Sequence, residues 1–161
     1  MSTISPDAPL KGGCFCGAVS YTVTAPPTLS SYCHCTQCQR LNASPFMHSI
    51  HFPDAAFAWT HTTAPDPFAS PPGLDTYVNP SRPHKTRFRC TACGGTVASL
   101  NAKTHHVSVW GAQLARDADG RIIRWEEVRP TAHIFYGTRM LDIDDGLGKW
   151  EGYAGQSERI G

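Results

Sequence analysis

The chain is 161 residues long, carries 14 basic and 13 acidic side chains for a net charge of +1, and is only 17% charged. That length suits one domain with its own hydrophobic core, and the balanced charge excludes the electrostatic footprint of a nucleic-acid or anionic-membrane binder. The 13 prolines and 14 glycines favour short strands and turns over long helices.

The first ten residues have neither a basic start nor a continuous apolar run, so they do not read as a secretory signal. No stretch approaches the roughly 20 apolar residues that span a bilayer. The expectation is a soluble, cytoplasmic protein in a reducing compartment. There, cysteine clusters bind metal or do chemistry more often than they form disulfides.

In chain order, residues 17–24 alternate apolar and polar and predict a half-buried strand, ended by Ala25-Pro26-Pro27. Residues 37–42 predict a short helical turn. Residues 46–52 read as a strand stopped by Pro53-Asp54, and residues 57–60 as a further short one. Residues 61–73 are rich in Pro, Ala, Thr and Ser and predict a loop within one domain. Strands are expected over 85–89, 96–100, 107–110 and 134–136. Asp117-Ala118-Asp119-Gly120 is a strong turn, and the glycine-rich segment from Asp142 predicts irregular structure. The sum is a mostly β single domain.

The seven cysteines fall in three clusters: Cys14 and Cys16; Cys33, Cys35 and Cys38; Cys90 and Cys93. An odd count cannot pair fully into disulfides, and the close spacing suits zinc. A tetrahedral zinc needs thiolates converging at about 2.3 Å. Gly17 after Cys16, and Gly94-Gly95 after Cys93, relieve the tight backbone that such convergence demands. Four plus three is the natural division, because a closed four-cysteine site is structural and three ligands leave a catalytic position open. Cys33, Cys35 and Cys38 lie within six residues and can hold one ion by themselves. Cys14, Cys16, Cys90 and Cys93 would share the other, closing a long loop and coupling metal binding to folding.

The order C-x-C, C-H-C-x-x-C and C-x-x-C-G resembles the GFA family of glutathione-dependent formaldehyde-activating enzymes, which also includes centromere protein V. The stretch from Gly12 to Val19 looks like the family's opening strand. The segment from His133 to Arg139, followed by Asp145-Gly146-Leu147, is similar to its C-terminal portion. The likeness divides the chain into an N-terminal extension (1–11), a GFA-type zinc-binding domain (12–153) and a C-terminal tail (154–161). It implies a Mss4-like, tent-shaped (β-tent) set of zinc-bound antiparallel sheets. It also implies the same division of ligands, with a structural zinc at Cys14, Cys16, Cys90 and Cys93 and a catalytic zinc at Cys33, Cys35 and Cys38. The activity it implies is condensation of glutathione with formaldehyde to S-hydroxymethylglutathione. Two departures bear on the substrate. The loop at 61–83 is long and proline-rich, and the run from Trp110 to Leu114 replaces the family's usual G-[TS]-L-D stretch.

The function expected is therefore a zinc-dependent carbon–sulfur lyase or synthase acting on a thiol adduct of a small aldehyde, with two zinc ions per chain and glutathione as co-substrate. Its partners would be a small-molecule thiol and an electrophile, with no nucleic acid and no membrane. Three thiolates leave a Zn²⁺ site at net −1, which suits sulfur chemistry better than water activation. The deaminase pattern H-x-E is absent. The alternative is a non-catalytic, zinc-stabilised interaction module. Candidate acid–base or binding groups are His48 and His51, which strand alternation sends to opposite faces, and Arg40, suited to a substrate carboxylate. His34 is expected to point away from the metal, His133 to serve core or site, and His105 and His106 to mark a strand start. Phe46, Trp59 and Trp110 are expected to wall a pocket or fill the core. Arg82, Lys85, Arg87 and Arg89 form the densest basic run, expected to be split between strand faces.

Overall fold

The computed structural model describes residues 3–63, 66–69 and 71–161. In chain order the strands are β1 (Leu10–Gly13), β2 (Ser20–Val23), β3 (Leu29–Cys33), β4 (Met47–Pro53), β5 (Phe57–Trp59), β6 (Leu74–Val78), β7 (Lys85–Cys90), β8 (Thr96–Asn101), β9 (His106–Trp110), β10 (Ala132–Ile134) and β11 (Gly148–Lys149). Two short helices join them, α1 (Thr36–Asn42) and α2 (Trp125–Val128). None of the described helices is long and apolar enough to cross a membrane.

Strands β1, β2 and β5 form a small antiparallel sheet. The other eight form one sheet in the order β11-β10-β3-β4-β9-β8-β7-β6. Its pairings are antiparallel except around β10, which runs parallel to both β3 and β11. The fold is thus mostly β, a single domain of two sheets.

The central strands are two-faced, because successive side chains point to opposite sides. One face buries Ile50 and Phe52 of β4, Val107 and Val109 of β9, and Phe88 of β7. These pack with Val19, Tyr21, Val23, Phe57 and Trp59 from the small sheet and its turn into one core. Tyr21, Phe57, Trp59 and Phe88 meet there in edge and stacked contacts of 4.8–6.2 Å between ring centroids. A register shift between Phe88 and Arg89 leaves Val97 as the extra residue of β8. That bulge explains why consecutive Val97 and Ala98 are both buried.

Several elements differ from the sequence reading. The strand expected over 17–24 begins at Ser20, because Cys14 to Val19 is a tight turn closed by the Cys14 N–H on the Val19 carbonyl at 2.9 Å. The strand expected to reach residue 136 stops at Ile134, since Phe135 takes φ +55°. Three strands lacked a readable pattern, among them the two-residue β11 in the segment expected to be irregular. β3 places Ser30 and Ser31 side by side, both buried, and β6 is an edge strand exposed at all but Leu74. The long loop at 61–83 therefore contains β6.

Gly13 sits where β1 enters the cysteine turn. A Cβ there would lie 2.4 Å from the Val19 carbonyl oxygen, a backbone atom that cannot swing aside. Replacing Gly13 with Ala is expected to lower stability by about 1–3 kcal/mol, as overpacking does. Chemical denaturation of the metal-loaded protein measures this, and an unchanged midpoint would refute the close approach.

Candidate metal centres and the adjoining cavity

The first centre is built from two similar knuckles. Cys14 and Cys16 follow the end of β1, while Cys90 is the last residue of β7 and Cys93 lies in the turn after it. In each knuckle a glycine follows the second cysteine with positive φ, +80° at Gly17 and +73° at Gly94, turning the chain as an L-residue rarely can. The amide of Gly17 closes on the Cys14 carbonyl at 3.2 Å, and that of Gly94 on the Cys90 carbonyl at 2.9 Å. The Val19 N–H donates to Cys14 Sγ at 3.2 Å, and the Gly95 amide is the first cause lowering the Cys93 thiol to about 6.

All four sulfurs lie within 4.8 Å of one another. Cys14 Sγ and Cys16 Sγ are 3.6 Å apart, and Cys16 Sγ and Cys90 Sγ 3.9 Å. Four sulfurs at about 2.3 Å from a tetrahedral zinc stand about 3.8 Å from each other, so the spacing fits such an ion.

The second group is Cys33, Cys35 and Cys38, whose sulfurs also lie within 4.8 Å of one another. Cys33 ends β3. Cys35 has extended backbone (φ −64°, ψ 145°) and is the N-cap of α1, its sulfur accepting from the Cys38 amide at 3.4 Å. That cap makes the third ligand a product of the helix start, since Cys38 sits in the first turn beside the residue that caps it. Hydrogen bonds from Cys33 and then Cys38 lower the Cys35 thiol to about 2. The Cys33 thiol moves the other way, raised first by its bonds to Cys35 and Cys38 and then by burial. One proton leaves easily and the others are held, so three thiolates coexist here only around a cation. Both clusters can hold metal ions.

The three-thiol group opens onto a cavity of about 320 Å³. Its floor is the face of the large sheet opposite the core. The register places His51 against Ser108, Ser108 against Ser99, and Ser99 against Arg87, a polar row across four strands. Lys85 and Trp110 complete this floor, and Arg82, Phe135 and Tyr153 line the walls.

The candidates from sequence separate cleanly. His51 lines the cavity, stacked on His106 at 4.3 Å between ring centroids, and burial first, then His106 and Lys85, lowers it to about 3. His48 lies on the opposite face, hydrogen-bonded through Nε2 to Ser30 Oγ at 2.8 Å, with Trp125 at its edge. Arg40 is exposed on α1 and does not line the cavity. The cavity's cations are Arg82, Lys85 and Arg87. The expected split of the basic run is overturned for Lys85 and Arg87, because residues two apart in a strand share a face. Arg89 keeps the parity of that row but lies beyond the cavity at the end of β7, exposed and paired with Asp75 of β6 at 3.0 Å. Trp110 walls the cavity and Trp59 fills the core. Phe46 stacks on His34 at 5.1 Å. His106 begins β9, and exposed His105 pairs with Asp54 at 3.3 Å.

His34 and His133 are fully buried. His34 Nε2 meets His133 Nδ1 at 2.9 Å, and His133 Nε2 meets both Asp145 oxygens at 3.0 and 3.1 Å. This chain runs directly behind the Cys33–Cys35 link and was not readable from sequence. Neither it nor Tyr153 announces itself by spacing.

A family model described as "Glutathione-dependent formaldehyde-activating enzyme" matches residues 9–138. No curated protein matches the chain. Among solved structures, the crystal structure of a Rhodobacter sphaeroides protein is 18% identical over 70% of this chain and 96% of that one, with a TM-score of 0.45.

Burial lowers the His48 imidazole to about 4, whereas an unfolded histidine titrates near 6.5. Between these values the unfolded chain binds more protons than the folded one. The stability present above pH 6.5 is therefore lost as pH falls toward 4, by up to about 1.4 kcal/mol per pH unit for one such group. Replacing His48 with Gln is expected to flatten the dependence of the urea midpoint on pH across that window. An unchanged slope would mean that His48 ionises in the folded protein.

Proposed function

The chain belongs to the glutathione-dependent formaldehyde-activating enzyme family, and from that membership we propose that it is a zinc-dependent carbon–sulfur lyase of the S-(hydroxymethyl)glutathione synthase type. It joins a small thiol, glutathione, to a small aldehyde, or runs that step in reverse. In this reading Cys14, Cys16, Cys90 and Cys93 hold a structural zinc, and Cys33, Cys35 and Cys38 hold a catalytic one. The observation that carries the reading is the contrast between the two groups. Four thiols close on one another at the first, while at the second, among the described residues, three converge beside a cavity.

An ion with three protein ligands keeps a fourth position, and there it supplies binding and deprotonation of a thiol. The chain's own residues do the rest. Lys85 and Arg87 on the floor and Arg82 at the rim receive carboxylates, the chemistry arginine and lysine serve best. Burial, then Arg82 and Arg87, lowers the Lys85 ammonium, and an incoming carboxylate offsets that crowding. His51, a neutral imidazole at neutral pH, is too weak a base to take a thiol's proton and instead offers a fixed hydrogen bond. The released proton leaves through the mouth of the cavity.

Tyr153 is the proton-bearing group left on the wall. Its phenol is raised first by burial and then by the negative charge at Cys33, Cys35 and Cys38, so it stays protonated. In the forward step a sulfur lone pair forms the C–S bond and the C=O π pair moves to oxygen. The Tyr153 hydroxyl hydrogen-bonds that oxygen and delivers a proton, which solvent restores. The net change is transfer of the thiol's hydrogen to the carbonyl oxygen.

The test is calorimetric titration of zinc-loaded protein with reduced glutathione and with S-methylglutathione, followed by exchange NMR with formaldehyde. Heat with the free thiol alone, and faster adduct formation than in buffer, are expected. Heat from neither ligand would remove the enzyme reading and leave a zinc-stabilised interaction module. Tyr153→Phe is expected to lower turnover by about 10²-fold, as loss of one oxyanion donor does, with glutathione affinity unchanged. A parallel loss of affinity would place Tyr153 in binding instead.

A further inference from the structure

The hydrogen-bonded chain from exposed Asp145 through buried His133 to buried His34 has a direction. Asp145 is an acceptor, its carboxyl held below the usual range despite the opposing cost of burial, with the Leu147 amide and His133 among the causes. His133 therefore donates from Nε2 to the carboxylate, and its Nδ1 is left as a lone pair. His34 must then donate from Nε2 to that lone pair. Its own Nδ1 is a bare acceptor, and that buried atom indeed has no partner. A buried lone pair without a donor is tolerated more readily than a buried N–H without an acceptor.

His34 is gripped on every other side. Its amide donates to the Ile134 carbonyl at 3.0 Å. Its carbonyl accepts from Gln39 Nε2 at 2.7 Å and Thr138 Oγ1 at 3.0 Å. Its ring lies between Phe46, stacked at 5.1 Å, and Tyr136, edge-on at 4.9 Å. With backbone and ring both fixed, strain in the ring passes to the residues on either side, Cys33 and Cys35.

We propose that Asp145 is a positioning residue that, through His133, fixes the ring proton of His34 on Nε2 and so holds Cys33 and Cys35 in the geometry that binds an ion with Cys38. Asp145 lies beyond residues 9–138, the span matched by the family model. The inference rests on the reading that these three thiols hold an ion.

Asp145→Asn is the discriminating variant. Asp145 Oδ1 also accepts from the Leu147 amide at 3.0 Å. An asparagine that keeps this bond puts its NH₂ where Oδ2 stood, 3.0 Å from His133 Nε2, against 3.1 Å for the retained oxygen, and the facing N–H groups favour the tautomer in which Nε2 accepts. His133 then donates from Nδ1, His34 Nε2 accepts, and the His34 proton moves to Nδ1, where nothing receives it. The same exchange of carboxylate for amide gives the wrong histidine tautomer in the serine-protease triad.

Two measurements on the full chain test this. Competition with a chromophoric chelator reads zinc affinity at each site, and ¹⁵N NMR of the histidine rings reads the tautomers of His34 and His133. In Asp145→Asn, zinc affinity at the three-thiol site is expected to fall about 10- to 100-fold, the usual effect of disturbing groups behind metal ligands. The four-thiol site should keep its affinity, and the His34 proton should move to Nδ1. Unchanged affinity with a moved proton would overturn the proposal, and so would lost affinity with an unmoved proton. Equal weakening of both sites would make Asp145 a general stabiliser and overturn it as well. A wild-type protein that binds a single zinc ion would sink the two-ion reading itself, and this inference with it.

Discussion

Sulfur atoms gathered within 4.8 Å of one another cannot all ionise without a positive centre among them. The fold sets that condition twice. At the first centre a cation would be shared between the end of β1 and the end of β7, so ion binding and the meeting of the two sheets would be one event. At the second centre the thiols come from one short stretch, the end of β3 and the start of α1, and no distant strand need move to supply them. The first arrangement would couple an ion to folding. The second leaves room for a further ligand on a finished scaffold.

The finished scaffold is the large sheet, and alternation gives it two uses. Ile50, Phe52, Val107 and Val109 face the core, while Ser49, His51, Ser108 and Trp110, interleaved with them on the same two strands, face the cavity. A rigid, close-packed layer thus lies directly under the groups that would touch a substrate, which is where precise placement is best obtained.

Much of this was legible in the chain itself. The cysteine spacing separated the clusters, the glycines after Cys16 and Cys93 marked the two turns, and alternation in residues 46–52 put His48 and His51 on opposite sides. What escaped was information carried by tertiary contact. His133 and Asp145 acquire meaning only because β10 lies parallel to β3 and brings them behind His34. β3 was missed because Ser30 and Ser31 are both buried, Ser30 Oγ donating to the Val128 carbonyl, so no apolar–polar alternation remained to read. Lys85 and Arg87 were visible, but their shared face follows from parity along β7, and their purpose follows from the cavity above it.

The bulge at Val97 has a consequence for how such a site diversifies. Lys85 and Arg87 of β7 reach the cavity, and the extra residue of β8 is absorbed locally without taking them out of it. A residue inserted or deleted without such a bulge to absorb it would exchange the inner and outer sides of that strand at once, so a change in strand length is a costly way to alter the pocket. Replacement at Ser49, Ser99 and Ser108 carries no such penalty. These small hydroxyl-bearing positions on the cavity floor are where the shape of the cavity can change while the core beneath them stays as it is.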